Sequence, residues 1–212
     1  MTELVIDDAA ERDDLGAFVA RAVRLDSSAA VRLRDRGDGR VDAWVATPFD
    51  ALVTRSVAGG CEPSDVTVSG PELLAALAVV GGTRLDPGPA RDLLWHSALP
   101  PALGWQLVDR VPATVLGELA DRGVALAREH PGPRGTPPAE LLDQTVLTVS
   151  GAGMQVKIPL RCLFALSGMG FLATGGQEVE QVKISATDAW LRMDARYGAV
   201  VRRRHALIPL LV

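Results

Sequence analysis

Three histidines, two cysteines and a run of three arginines are the residues whose types bear most directly on chemistry. Nucleophilic catalysis needs a serine or cysteine beside a positioned base. His96 stands in a Trp-rich segment, His130 before a proline stretch and His205 after the arginines. No G-x-S-x-G marks a serine on a strand-to-helix elbow. Cys61 and Cys162 have no Cys or His neighbour at ligand spacing, so they read as buried, inert thiols in a reducing cytoplasm. C-x-x-C, H-x-x-x-H and H-E-x-x-H are all absent, and the pairs Asp7-Asp8 and Asp13-Asp14 lack the spacing of a calcium loop. Gly168, Gly170 and Ala173 match G-x-G-x-x-A, but they follow an expected helix where a dinucleotide site needs a preceding strand. The expectation is therefore no catalytic residue, no metal and no cofactor.

Two binding candidates remain. Arg202, Arg203, Arg204 and His205 form the main one, a site for a partner or an anion. On a strand the run cannot make one flat basic face: Arg202 and Arg204 point one way, Arg203 and His205 the other. That geometry suits the charged end of an edge strand. The second candidate is a recognition loop in which Trp95 and Trp105 bracket Pro100-Pro101, with His96 beside the first tryptophan; such a loop offers rigid apolar area at low entropic cost.

The charge is unevenly spread. Residues 151–212 carry eight Lys+Arg against four Asp+Glu, whereas residues 1–150 carry fourteen against twenty-two. An overall charge of −4 and 4% aromatic content weigh against a nucleic-acid-binding role for the basic end. With 48% hydrophobic and 23% charged residues the chain reads as globular rather than disordered. Twenty of its 22 Lys+Arg are arginine, which fits a GC-rich, actinobacterial coding sequence. The acidic start lacks a signal-peptide pattern, and no apolar run of ~18 residues exists to cross a membrane. Cytoplasmic localisation is expected.

The elements that must position these residues follow from periodicity. Leu15, Phe18, Val19, Ala22 and Val23 make the apolar stripe of a helix between Asp8 and Leu25. Val31 and Leu33, the Asp38-Gly39 turn, then Val41, Ala43 and Val45 predict a hairpin. Strands are expected over 51–57 and 65–68, with 58–63 as a glycine-rich loop. Ser69, Pro71 and Glu72 predict a capping box at the next helix, which Gly81-Gly82 ends. Residues 83–138 read as helical pieces broken by prolines, with the Pro/Gly stretch 131–138 as a linker. Beyond it come a hairpin over 145–158, a helix opened by Pro159, and strands over 181–186, 190–194 and from Ala199 toward Leu207.

Two echoes link the halves. Asp42-Ala43-Trp44-Val45 corresponds to Asp188-Ala189-Trp190-Leu191, each followed by a small-apolar strand, Ala51-Leu52-Val53 and Ala199-Val200-Val201. Val66-Thr67-Val68 leading to Pro71 likewise resembles Val156-Lys157-Ile158 leading to Pro159. The fold class expected is α+β, two sheet-containing lobes in a pseudo-two-fold repeat with a helical middle segment: an N-terminal lobe over 1–82, the middle over 83–138 and a C-terminal lobe over 139–212, or all three as one compact domain. In its hairpins and strand-to-helix units this layout resembles the EspG secretion chaperones, which implies a secretion-chaperone-like role as one alternative. The role expected from the residues is a non-catalytic protein-binding or regulatory module that self-associates as a homodimer. Nucleic-acid binding through the basic strand and an enzyme with an unrecognised site stand as further alternatives, and no membrane association is expected. The apolar end Leu207 to Val212 is expected to be pinned in the core as the last strand.

Overall fold

A computed structural model of the chain describes residues 2–79, 82–129, 137–172 and 180–204. Helix α1 (Ala9–Leu25) starts where Asp8 accepts the Glu11 N–H at 2.9 Å, and of the predicted stripe it buries Leu15, Phe18, Val19 and Ala22, with Val23 partly buried against the core. Strands β2 (Ala30–Asp35) and β3 (Arg40–Thr47) form the expected hairpin, with Gly37 and Gly39 supplying φ of 75° and 78° in its turn. Strand β4 (Ala51–Glu62) runs past the expected end at Val57. Its far half lies against the short N-terminal strand β1 (Glu3–Ile6), which pairs on its other side with β6 (Arg84–Leu85). Gly59 permits this crossing: a Cβ there would stand 2.0 Å from the Val5 carbonyl oxygen. The glycines read as a loop are thus a strand that needs close backbone approach.

Strand β5 (Asp65–Ser69) feeds helix α2 (Gly70–Ala78), but the expected capping box does not form. Ser69 is the last residue of β5, paired with Ala30, and its side chain makes no cap hydrogen bond. Ser69 keeps the N-cap position that sequence assigned to it, with Pro71 and Glu72 in the first turn, and only the side-chain hydrogen bond is missing. The proline-rich middle is only partly helical. Residues 86–105 form an extended strap with a single 3-10 turn at Asp92–Leu94, and then come strand β7 (Gln106–Pro112) and helix α3 (Ala113–Glu129). After the short helix α4 (Ala139–Leu142), β8 (Thr145–Gly151) and β9 (Met154–Pro159) make the second predicted hairpin as a separate two-stranded sheet. Helix α5 (Leu160–Gly168) and strands β10 (Gln181–Ala186), β11 (Trp190–Ala195) and β12 (Gly198–Arg203) complete the described chain.

The large sheet has the order β5-β2-β3-β4-β12-β11-β10-β7. Its two halves are related: β2-β3-β4 follow α1 as β10-β11-β12 follow α5, and each outermost strand, β5 or β7, runs into a helix. They join where Leu52, Val53 and Thr54 of β4 face Val201, Val200 and Ala199 of β12. Trp44 faces Thr54 and Trp190 faces Arg203, so the Asp-Ala-Trp echo falls on corresponding strands of the repeat. One sheet face, with Val31, Val45, Val53, Ile184, Met193 and Val200, packs on Phe18 of α1 and Leu163 of α5 in the main core. On the other face a small cluster of Trp44, Leu52, Trp190 and Val201 is roofed by Trp95, Leu99 and Trp105 from the strap. This α+β architecture of two sheet-bearing lobes is the one the sequence predicts.

Candidate functional site in the seam between the halves

Strand β12 has neighbours on both sides, β11 along its length and β4 at Ala199 to Val201. The arginine run therefore closes a central strand and does not protect an edge, which corrects the expectation from sequence. Alternation holds, and it sends the three guanidinium groups to three different tasks. Arg202 donates from Nε to the Asp50 carbonyl at 3.1 Å and from Nη2 to the Asp50 carboxylate at 3.0 Å, with Asp143 3.5 Å away. Arg203 turns to the opposite face and lies over the Trp190 ring, 4.6 Å from its centroid. Arg204 donates to the carbonyls of Thr187 (2.9 Å) and Gln155 (2.7 Å), which fastens the end of β12 to the β10–β11 turn and the β9 hairpin. His205 lies outside the described residues.

The strap brings His96, one residue of the second candidate, to the same place. Trp95 and Trp105 are half-buried lids over the tryptophan cluster, with their indole N–H groups given to Ser97 and Pro101 carbonyls at 2.5 and 3.0 Å. Arg32 and Arg192 stand 5.7 and 6.0 Å from the two rings. His96, exposed, points to a cavity of about 460 Å³ that Arg202, Arg203, Trp190 and Leu52 also line. Of the second candidate only His96 meets Arg202 and Arg203 in this seam cavity, while Trp105 lines a different one. Leu52, Val201 and the Trp190 ring, each nearly buried, back its apolar side. Its rim carries the Arg202–Asp50 pair, His96, and Arg203, which among the described residues has no carboxylate partner. A larger cavity of about 680 Å³ lies further along the strap, where Arg36 pairs with Asp38 at 3.0 Å and Arg192 with Asp194 at 2.7 Å.

Neither cysteine lies at the seam cavity. Burial pushes the Cys61 thiol up to about 11 and the Cys162 thiol up to about 12, so both stay protonated at neutral pH. Among the described residues no group of three or more His, Cys, Asp or Glu side chains stands close enough to hold a metal ion, and no helix is long and apolar enough to cross a membrane. What the seam cavity offers is recognition: an apolar side and a cation at its mouth.

In fold, the chain is similar to the DNA polymerase sliding clamp of Caulobacter crescentus (TM-score 0.60, 14% identity, over 98% of this chain and 67% of that one). The clamp of Bacillus subtilis (0.58, 12%, 99% and 66%) and the beta subunit from DNA polymerase of Streptococcus pyogenes (0.58, 9%, 99% and 66%) are similar to the same degree. The chain spans about two thirds of the length of these clamps, and at such identities the likeness is one of fold. No curated protein matches the chain in sequence. Residues 1–97 match a domain of unknown function, DUF8010. Since residues 100–207, just over half of its length, match a second such description, the chain belongs to the family of the domain of unknown function DUF8185.

Proposed function

We propose that the protein is a non-catalytic cytoplasmic scaffold that self-associates and takes a segment of a protein partner into the seam cavity. The observation that carries this reading is the convergence of β4, the strap, β11 and β12 on one hollow with an apolar side and, at its rim, Arg203, which has no carboxylate partner among the described residues. Such a hollow fits a short segment that presents apolar side chains beside a carboxylate. The fold lends support. Among the similar clamps, that of Bartonella birtlesii was solved bound to griselimycin, and one from C. crescentus with polyethylene glycol in a putative beta-motif tethering region.

Charge favours a protein partner over nucleic acid. Helices α1, α2, α3 and α5 together carry six arginines against seven carboxylates, so this layer lacks the basic excess that phosphate contact needs. Arg202 and Arg204 are already engaged. The test is a photo-cross-linking amino acid placed at Ser97, at the mouth of the cavity, in cells of the source organism, with a second at Leu126 on α3 as control. Cross-links to protein from position 97 that disappear in Arg203→Glu support the reading. Cross-links to nucleic acid, or equal yields from both positions, would refute it.

A further inference from the structure

The apolar face of the seam lies under the strap, and the way the strap is held determines how a partner can reach that face, an inference that rests on the reading of the seam as a docking site. At one end the strap is hydrogen-bonded to the sheet: the Arg91 N–H donates to the Thr67 carbonyl at 2.7 Å, and Asp92 accepts the Thr67 N–H at 2.7 Å. At the other end Gln106 pairs with Ala186 as β7 begins. From Leu93 to Trp105, in contrast, no hydrogen bond or ion pair joins the strap to another element among the described residues. Its polar groups turn inward. The Leu94 and Trp95 N–H groups go to the Arg91 and Asp92 carbonyls, and the two indoles to Ser97 and Pro101. Pro100 and Pro101 have no N–H to give.

Contact alone therefore holds this stretch. Trp95, Leu99 and Trp105 pack on Trp44, Leu52, Trp190 and Val201, and Arg32 and Arg192 stand 5.7 and 6.0 Å from the two strap rings. The small cluster is separate from the main core, so lifting the strap uncovers it without disturbing the packing of α1 and α5. Units of this kind open at a lower free energy than the whole fold. Because the indole hydrogen bonds travel with the strap, the lift strands no buried donor. The covered face also has an unmet need: Thr54, which faces Trp44 and lines the larger cavity with Leu99 and Trp105, is 4% exposed, and its hydroxyl has no hydrogen-bond partner. We propose that residues 93–105 act as a displaceable internal ligand, lifting between two fixed ends so that the partner's segment takes the uncovered face. Arg32 and Arg192 each lose a ring when the strap leaves, so the segment that replaces it carries aromatic side chains. The strap thus sets a threshold that only such a segment overcomes.

The experiment uses the full chain with Val201→Cys, which puts a thiol in the covered cluster, while the native Cys162 in the main core reports opening of the whole fold. Maleimide labelling under native conditions, read at each site by mass spectrometry, is expected to be at least about tenfold faster at position 201 than at Cys162. Adding Trp105→Ala should speed labelling at 201 further and leave Cys162 unchanged. A fluorescent peptide of residues 93–105 should bind a Trp95→Ala/Trp105→Ala chain at least about tenfold more tightly than the unaltered chain, whose face its own strap covers. Equal labelling of the two thiols, a rate at 201 indifferent to Trp105→Ala, or equal peptide affinity in both chains would each overturn the proposal. If these fail while protein cross-links at Ser97 persist, the strap inference alone falls. If the cross-links fail as well, the docking reading falls with it.

Discussion

Arg202 holds Asp50 at both ends, its carbonyl at 3.1 Å and its carboxylate at 3.0 Å, across 152 positions of sequence. Asp50 needs holding, because its φ of 53° lies in the left-handed region where residues other than glycine are strained. The clasp fixes the β3–β4 turn, and with it the lip of the seam cavity. Asp50 is 77% exposed, so the ion pair itself contributes little and the hydrogen bonds to the turn contribute more. Arg202→Ala should cost about 1 kcal/mol. Asp50→Val should cost about 2 kcal/mol, because a β-branched residue resists positive φ. Asp50→Gly should be nearly neutral, as relief of the backbone offsets loss of the pair. Thermal midpoints of the three variants check this order, and a strongly destabilised Asp50→Gly would show that the carboxylate matters more than the turn.

Two glycines of α3 should respond with opposite signs to the same change. A Cβ at Gly123 would stand 2.3 Å from Leu160 Cδ1 and 3.1 Å from Phe164, both on α5, whereas nothing lies within 4 Å of one at Gly117. Gly117→Ala is expected to raise stability by about 0.5–1 kcal/mol through helix propensity. Gly123→Ala should lose 1–3 kcal/mol, roughly, because separating α3 from α5 outweighs that gain. Denaturant midpoints decide, and stabilisation at both positions would mean that Leu160 yields without cost.

Ser69→Ala tests a helix start whose N-cap residue makes no side-chain hydrogen bond. With no cap hydrogen bond to lose, the substitution should change stability by less than about 0.5 kcal/mol instead of the ~1 kcal/mol of a capping residue. A loss of the larger size would show that the hydroxyl caps α2 in solution.

The hairpins and α1 were legible because their signals are local: period-two alternation around Gly37 and Gly39, and a 3.6-residue stripe behind Asp8. The corresponding tryptophans Trp44 and Trp190 were legible as a repeat for the same reason. What sequence could not show was pairing at long range. Gly59 and Gly60 look like loop residues until β1 crosses them, and the central place of β12 rests on the pairing of Ala199 to Val201 with Leu52 to Thr54, far away in sequence. β7 was missed because Leu107, Val108 and Val111 do not alternate and prolines flank them. The seam cavity draws on residues 46–52, 96–98, 190 and 201–203, so no window of sequence contains it. The tail expected to be pinned as a strand lies outside the described residues.

The two thiols set an alkaline limit. Cys162 is fully buried and its pKa is raised from 9.0 to about 12, chiefly by desolvation, while that of Cys61 rises to about 11. A folded-state value above the unfolded one means that the stabilisation is complete below pH 9 and is lost as pH climbs from 9 toward 11–12. Below pH 8 both thiols should resist alkylation in the native protein and react only after unfolding. Cys162→Ala should flatten the alkaline fall in stability relative to the parent chain. Rapid labelling of Cys162 at neutral pH would contradict its place in the core.

The join between β4 and β12 also orders events in the cell. Leu52 and Val201 are about 150 positions apart, and pairings of such separation form late and slowly. On a ribosome the β4 flank of the first half therefore waits, uncovered, until almost all of the second half has been made. Through that interval Leu52 and Trp44 are exposed to any other chain that offers a strand. Synthesis of the first half alone should thus yield a species that seeks out β12, so that the two halves, made as separate polypeptides, reassemble by complementation.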